Sequence, residues 1–279
     1  MFDGASPCHF LAAKREWLVA GTSAAGRGVD RPLHHRTGFA VSWAGKPTIR
    51  VQIHNGRALP ADPAQPATFV WSRENGSVVF PIVKLDVADG TTQVVLGSLG
   101  RDDRFGLHIG DYVEVEDDTS ALANAAYPLL QVQAIDRTAM LVTLNGNSGT
   151  TTGTDPSAHP LLRLWNQEAG DPASGGLTLV NGAAQIVGDT WLDLEDGVQV
   201  RFPNGDQAAY QTGDYWLIPA RVATGDVIWP TETDTDVLGA VTVYPVAKAP
   251  EGVTHHYLPL AVLDLTGSAP AITSCAEDA

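Results

Sequence analysis

From Pro47 onward apolar and polar residues alternate with period two, the spacing at which side chains leave a β-strand on opposite faces. Thr48-Ile-Arg-Val-Gln-Ile53 is the first such run, and Asn55-Gly56 ends it as a turn. Ala67-Thr-Phe-Val-Trp-Ser-Arg73 and Ser77-Val-Val-Phe-Pro-Ile-Val83 follow, rich in β-branched and aromatic residues and separated by Glu74-Asn75-Gly76. Asn-Gly supplies the positive φ angles of a tight reversal, so the spacing predicts a hairpin with Asn75 and Gly76 at its tip. Asp196 and Gly197 repeat the device between Thr190-Trp-Leu-Asp-Leu194 and Val198-Gln-Val-Arg-Phe202. Asn204 and Gly205 do so less tightly, ahead of Asp214-Tyr-Trp-Leu-Ile218.

Further strands are predicted at residues 112–116, 129–135, 140–144, 241–244 and 258–265. Short strands at close spacing, joined by polar turns, are the mark of a sandwich or barrel. The 28 glycines and 18 prolines are scattered throughout and leave few windows for an uninterrupted helix. Leu11-Ala-Ala-Lys-Arg-Glu-Trp-Leu-Val19 is a short helix candidate that Gly21 to Gly26 would stop. The fold class expected is all-β: one or two small sandwich or barrel-like lobes with long loops and little helix. Residues 1–46 read as an irregular arm, 47–145 as a first lobe, 146–188 as a Gly/Thr/Pro-rich loop or linker, and 189–279 as a second lobe.

Charge narrows the partners. Seventeen Lys and Arg against 32 Asp and Glu give a net charge of −15, and such a surface repels a phosphate backbone, so nucleic acid is not expected. No apolar run is long enough to span a membrane, and Asp3, Lys14, Arg15 and Glu16 stand where a signal peptide needs apolar residues; synthesis in the cytoplasm is expected. Cys8 and Cys275 have no CxxC partner, and whether they pair is left open. Asp193-Leu-Glu-Asp-Gly197 brushes the calcium-loop pattern, but the glutamate required six residues after the glycine is Pro203, so an Asp-Gly turn is the better reading. A weak calcium site at Asp117-Asp118 or Asp234-Thr-Asp236 stays open. His34-His35 and His255-His256 point to opposite faces if extended, which disfavours a shared metal. Nucleophile-elbow, P-loop and dinucleotide motifs do not occur, so no catalytic, cofactor or metal residue is assigned. Trp71, Trp191 and Trp216 lie in strand patterns and are core candidates, whereas Trp165, in the glycine-rich stretch, is the one placed to stack on a sugar.

The longer strings carry a resemblance. Residues 69–82, 99–107 with 110–115, 191–200, 212–221 and Gly252-Val-Thr-His-His-Tyr-Leu-Pro-Leu-Ala261 resemble, in order, a bacterial family labelled a domain of unknown function. Its genes occur beside those of phage-tail-like contractile injection systems, and the likeness runs over roughly residues 47–275, the carboxy-terminal part of the family pattern. The resemblance implies no catalytic residues and a structural role at the baseplate, tip or surface of such a particle, which can be released from the cell. The partners implied are other particle subunits; a homo-oligomer and a cell-surface glycan remain open. A carbohydrate-binding attachment module is the alternative, and a polysaccharide-degrading enzyme the third reading. Gly110-Asp111-Tyr112 and Gly213-Asp214-Tyr215 are expected to cap strand entries and seat a ring in the core.

Overall fold

The computed structural model of the protein describes residues 18–22, 48–56, 65–102, 105–123, 125–148, 151–203, 210–221, 226–235, 237–239, 241–252, 261–264 and 271–274. In chain order its strands begin with β1 (Val19–Thr22), β2 (Thr48–Asn55), β3 (Thr68–Ser72), β4 (Val79–Ala88), β5 (Thr91–Leu96) and β6 (Tyr112–Glu116). A short helix, α1 (Asp118–Ala123), precedes β7 (Leu129–Asp136), β8 (Leu141–Asn145) and β9 (Leu161–Trp165). Then come β10 (Leu179–Val180), β11 (Ala183–Gln185), β12 (Leu192–Asp193), β13 (Val198–Arg201), β14 (Tyr215–Arg221) and β15 (Asp226–Val227). The series ends with β16 (Thr231–Thr235), β17 (Val241–Pro245), β18 (Ala261–Asp264) and β19 (Ala271–Ser274). The protein is all-β with little helix, as the alternation predicts.

Six strands close into an antiparallel barrel in the order β4-β5-β8-β7-β6-β9, and closure leaves no strand edge unpaired. Period two fills its interior: Phe80 and Ile82, Val94 and Leu96, Val113 and Val115, Val142 and Leu144, Leu162 and Leu164 all point inward. Burying each such aliphatic side chain is worth about 1.5–3 kcal/mol, enough to fix the register of every strand. Leu85 is three positions past Ile82 and still faces in, because a bulge between Ile82 and Lys84 absorbs the extra residue.

The second core joins two sheets. One has the order β10-β11-β3-β2-β14-β15 and the other β1-β13-β12. Ile49, Val51 and Ile53 of β2, Trp216 and Ile218 of β14, and Val198 and Val200 of β13 share this core with Leu18 and Ala20. Phe202 sits among the rings of Phe69, Tyr210 and Trp216, with centroids 5.2, 6.0 and 6.1 Å away. Edge-on and tilted contacts of this kind suit the ring quadrupoles. Trp71 and Trp216 are core residues as expected; Trp191 is only half-buried, with the Arg201 guanidinium over its ring at 5.2 Å.

The cores divide the chain differently from the expected lobes at 47–145 and 189–279. The barrel is one continuous stretch, β4 to β9, set between β3 and β10, and strands from both flanks build the other core. Strand β2 reaches across to β14, pairing Gln52 with Tyr215 and Ile49 with Ile218. The stretch 146–188 is no linker either, since it supplies β9 to the barrel and β10 and β11 to the sheet. Its glycines serve close packing: a Cβ on Gly153, at φ +83°, would stand 2.6 Å from Val115 Cγ1. The Gly153 N–H donates at 3.0 Å to Asp117, whose other carboxylate oxygen caps α1 by accepting from Ser120 N–H at 2.9 Å. Of the arm at 1–46, residues 1–17 and 23–46 lie outside the described residues, and with them most of the helix candidate; Val19, its last residue, belongs to strand β1, paired with β13.

Candidate functional site

The polar face of β2 is not a solvent face. Ile49, Val51 and Ile53 point into the sandwich core, so Arg50, Gln52 and His54 point the other way, toward the outer wall of the barrel. That wall presents Glu114 and Glu116 from β6 and Arg163 and Trp165 from β9, again at period two. All of these side chains except His54 line a cavity of about 250 Å³ between the two cores. Arg163 grips Glu116 with two parallel bonds, Nε to Oε1 at 2.6 Å and Nη2 to Oε2 at 2.8 Å, and its third nitrogen donates to the Gly76 carbonyl. Trp165 Nε1 donates to Glu114 Oε2 at 2.9 Å. Arg50 lies over the Tyr215 ring at 3.9 Å, its Nε bonded to Gln52 at 2.8 Å.

Burial, reinforced by the charge of Glu116, pushes Glu114 up to about 7, against the opposing pull of the Trp165 N–H. Burial likewise lowers the Arg50 guanidinium and the His54 imidazole. His54 Nε2 lies 2.8 Å from the Tyr127 carbonyl, which can only accept, so Nε2 carries the proton. Chemically the cavity offers one carboxyl that exchanges a proton near neutrality. Glu116, its neighbour two positions along the strand, is committed to Arg163 within the barrel wall, and the bond from His54 to the Tyr127 carbonyl crosses from β2 to the loop before β7. Around it Val70, Leu129, Trp165 and Ala183 form a small apolar seam.

The sequence-predicted positions fall out unevenly. Asn75 and Gly76 have φ of 57° and 69°, and Ser77 N–H closes the turn on the Glu74 carbonyl at 3.0 Å. The turn is tight, yet it does not make a hairpin: β3 pairs with β2 and β11, while β4 pairs with β5 and β9. Asp196 and Gly197, at 48° and 81°, do join paired strands, β12 and β13. Asn204 and Gly205, both His pairs and both cysteines lie outside the described residues. Asp193 accepts from Gln199 at 2.5 Å and Glu195 is paired with Arg73. Asp117 is the helix cap, Asp118 contacts His159 at 2.8 Å, and Asp234 lies exposed in β16. Trp165 is 2% exposed, so the ring expected to stack on a sugar is a core ring. In the Gly-Asp-Tyr pairs Asp111 caps its turn, accepting from His108 N–H at 2.8 Å, but Tyr112 and Tyr215 lie half-buried outside the cores that take their neighbours Val113 and Trp216.

A different feature, which sequence reading took for an ordinary strand, stands out by exposure. Among the described residues, strands β16 and β17 pair only with each other, from Thr231 opposite Pro245 to Thr235 opposite Val241. That register places Thr231, Thr233, Thr235, Val241 and Val243 on one face and Glu232, Asp234 and Tyr244 on the other. The first face is apolar and uncovered among the described residues: Val241 is 63% and Val243 61% exposed, and Leu238 at the tip 90%. Its root is firmly tied. Trp229 Nε1 donates to the Val246 carbonyl at 2.7 Å, Val246 N–H to Pro230 at 2.9 Å, and Lys248 pairs with Leu18 through two backbone bonds. Among the described residues no helix is long and apolar enough to cross a membrane.

No curated protein and no solved structure matches the chain. The signature of a family of unknown function, DUF6519, matches residues 46–276, nearly the stretch over which the resemblance was read, and it takes in the barrel core, all of the second core except Leu18 and Ala20, and the exposed hairpin. The chain therefore belongs to the DUF6519 family.

Proposed function

We propose that the protein is a structural subunit of a phage-tail-like contractile injection particle, acting through protein contacts rather than turnover. The particle context comes from the sequence resemblance. The observation that carries the mode of action is the β16–β17 hairpin, with its apolar face uncovered among the described residues and its root fixed. An isolated two-stranded ribbon is marginal in water, and three or more strands or a packed face are needed to stabilise it. A neighbouring subunit laid on Val241 and Val243, or a strand added to its edge, supplies what the chain withholds. The Glu232 and Asp234 face then stays toward solvent or meets a basic partner.

The test replaces residues 232–244 by an Asn-Gly turn, which keeps the Trp229–Val246 bond, and follows the variant in cells that assemble the particle. The expected outcome is a folded chain with a melting temperature within a few degrees of wild type that no longer enters particles. Incorporation at the wild-type level would refute the reading. A Val243→Asp variant, which leaves the ribbon intact but charges its apolar face, is expected to reduce incorporation at least tenfold, about 1.4 kcal/mol of contact energy.

A further inference from the structure

A second opening lies beside the charged seam, and its chemistry is different. It is a groove of about 820 Å³ where the ends of β2 and β3 meet β6, β7, β8 and the β10–β11 turn. None of its lining residues is Asp, Glu, Lys or Arg, in a chain that has 49 of them. Six carboxamides line it instead: Asn55, Gln65, Gln131, Asn145, Asn147 and Asn181. Five of these, Asn55, Gln65, Asn145, Asn147 and Asn181, are exposed. Backbone geometry presents two of them at tight turns: Asn181 and Gly182 have φ of 50° and 84°, and Asn145 precedes Gly146 at 92°. Tyr112 and Tyr127 supply half-buried rings to the same groove. The Tyr112 ring is held against Gly182, where a Cβ would approach it to 2.9 Å, and the His54 bond to the Tyr127 carbonyl fixes the loop carrying the second ring.

We propose that this groove binds an uncharged oligosaccharide. A carboxamide carries two donors and an acceptor, a match for vicinal hydroxyls that both donate and accept, and of the six Gln131 gives one donor to the Gly110 carbonyl at 3.0 Å. The rings offer flat apolar surface for the C–H face of a pyranose. A charged ligand would be desolvated here against no counter-charge, which disfavours acidic glycans and acidic peptides alike. An extended peptide has little backbone to pair with, because the barrel strands are paired on both sides and the sheet edge here, β10, is two residues long. The volume is in the range of small-molecule sites and the groove is open, as a chain ligand needs. This site is separate from the hairpin and does not rest on the assembly reading.

The experiment titrates the full chain with maltohexaose, cellohexaose and chitohexaose, with hexagalacturonate as the charged control, followed by calorimetry and amide NMR shifts. Binding of at least one neutral hexasaccharide with a Kd of about 1 mM or tighter is expected, with shifts centred on residues 145–147 and 180–182. Asn181→Gly, which keeps the positive φ, and Asn145→Ala are each expected to weaken it at least tenfold with melting unchanged. No binding by any neutral sugar, equal binding of hexagalacturonate, or affinity unaltered by both substitutions overturns the proposal. Hairpin truncation is expected to leave sugar binding intact, so failure of either reading is visible without the other.

Discussion

Glu114 stands where two demands conflict. Its strand position takes the carboxyl out of water, and the only donor aimed at it from a described side chain is the Trp165 indole, while Arg163 is spent on Glu116. With its folded value raised from 4.5 to about 7, the group holds its proton more tightly in the folded chain than in the unfolded one. The resulting contribution to stability is fully present below about pH 4.5 and is lost as pH rises through about 7. Its size is at most about 3 kcal/mol. Glu114→Gln keeps the shape of the neutral acid, so the variant is expected to match wild type near pH 4.5 and to be more stable by about 1–3 kcal/mol at pH 8. Urea denaturation at the two pH values checks this, and a difference that does not change with pH would dispose of the argument. In the sequence Glu114 and Glu116 are the polar positions of the strand predicted at residues 112–116. Alternation tells which face a residue takes, and cannot tell that a second core will be laid on that face.

Individual elements were legible because their causes are local. The turn at Asn75 and Gly76 has the positive φ angles its residues predict. Gly76→Val is accordingly expected to cost more than about 1 kcal/mol, since a β-branched residue resists positive φ; a Tm equal to wild type would contradict it. Partner choice is not local. The flanking strands go to different sheets, and the clue was present in their patterns: Thr68-Phe-Val-Trp-Ser72 is buried at every position, the continuous run of a strand covered on both faces, whereas β4 alternates over residues 79–82. The exposed hairpin was hidden for the opposite reason. Val241-Thr-Val-Tyr244 has the pattern of a half-buried strand, and nothing within the segment says that its apolar face will be left uncovered.

For the whole molecule, the barrel is a self-contained insertion. Every residue of its core lies between Phe80 and Leu164, and its two ends meet at the sheet, where Asn166 N–H donates to the Trp71 carbonyl at 2.8 Å. A fragment of residues 77–166 is expected to fold alone, with dispersed amide NMR signals and one cooperative thermal transition. The remainder has no such independence, because β2 and β14 must find each other across the insertion. This has a kinetic consequence. Gln52 and Tyr215 are about 160 positions apart, but a barrel that forms first brings Trp71 and Asn166 together and removes about 95 of them from the loop to be closed. By the logarithmic law for loop closure that saves about 0.8 kcal/mol of entropy, roughly a fourfold gain in the rate at which the second core assembles. The insertion thus acts as a clasp for the chain that contains it. Stopped-flow refolding of the intact protein is expected to open with a phase at the rate of the isolated fragment and to end with a slower one. A fragment that stays unfolded, or an intact chain that refolds in a single phase, would show instead that the two cores condense together.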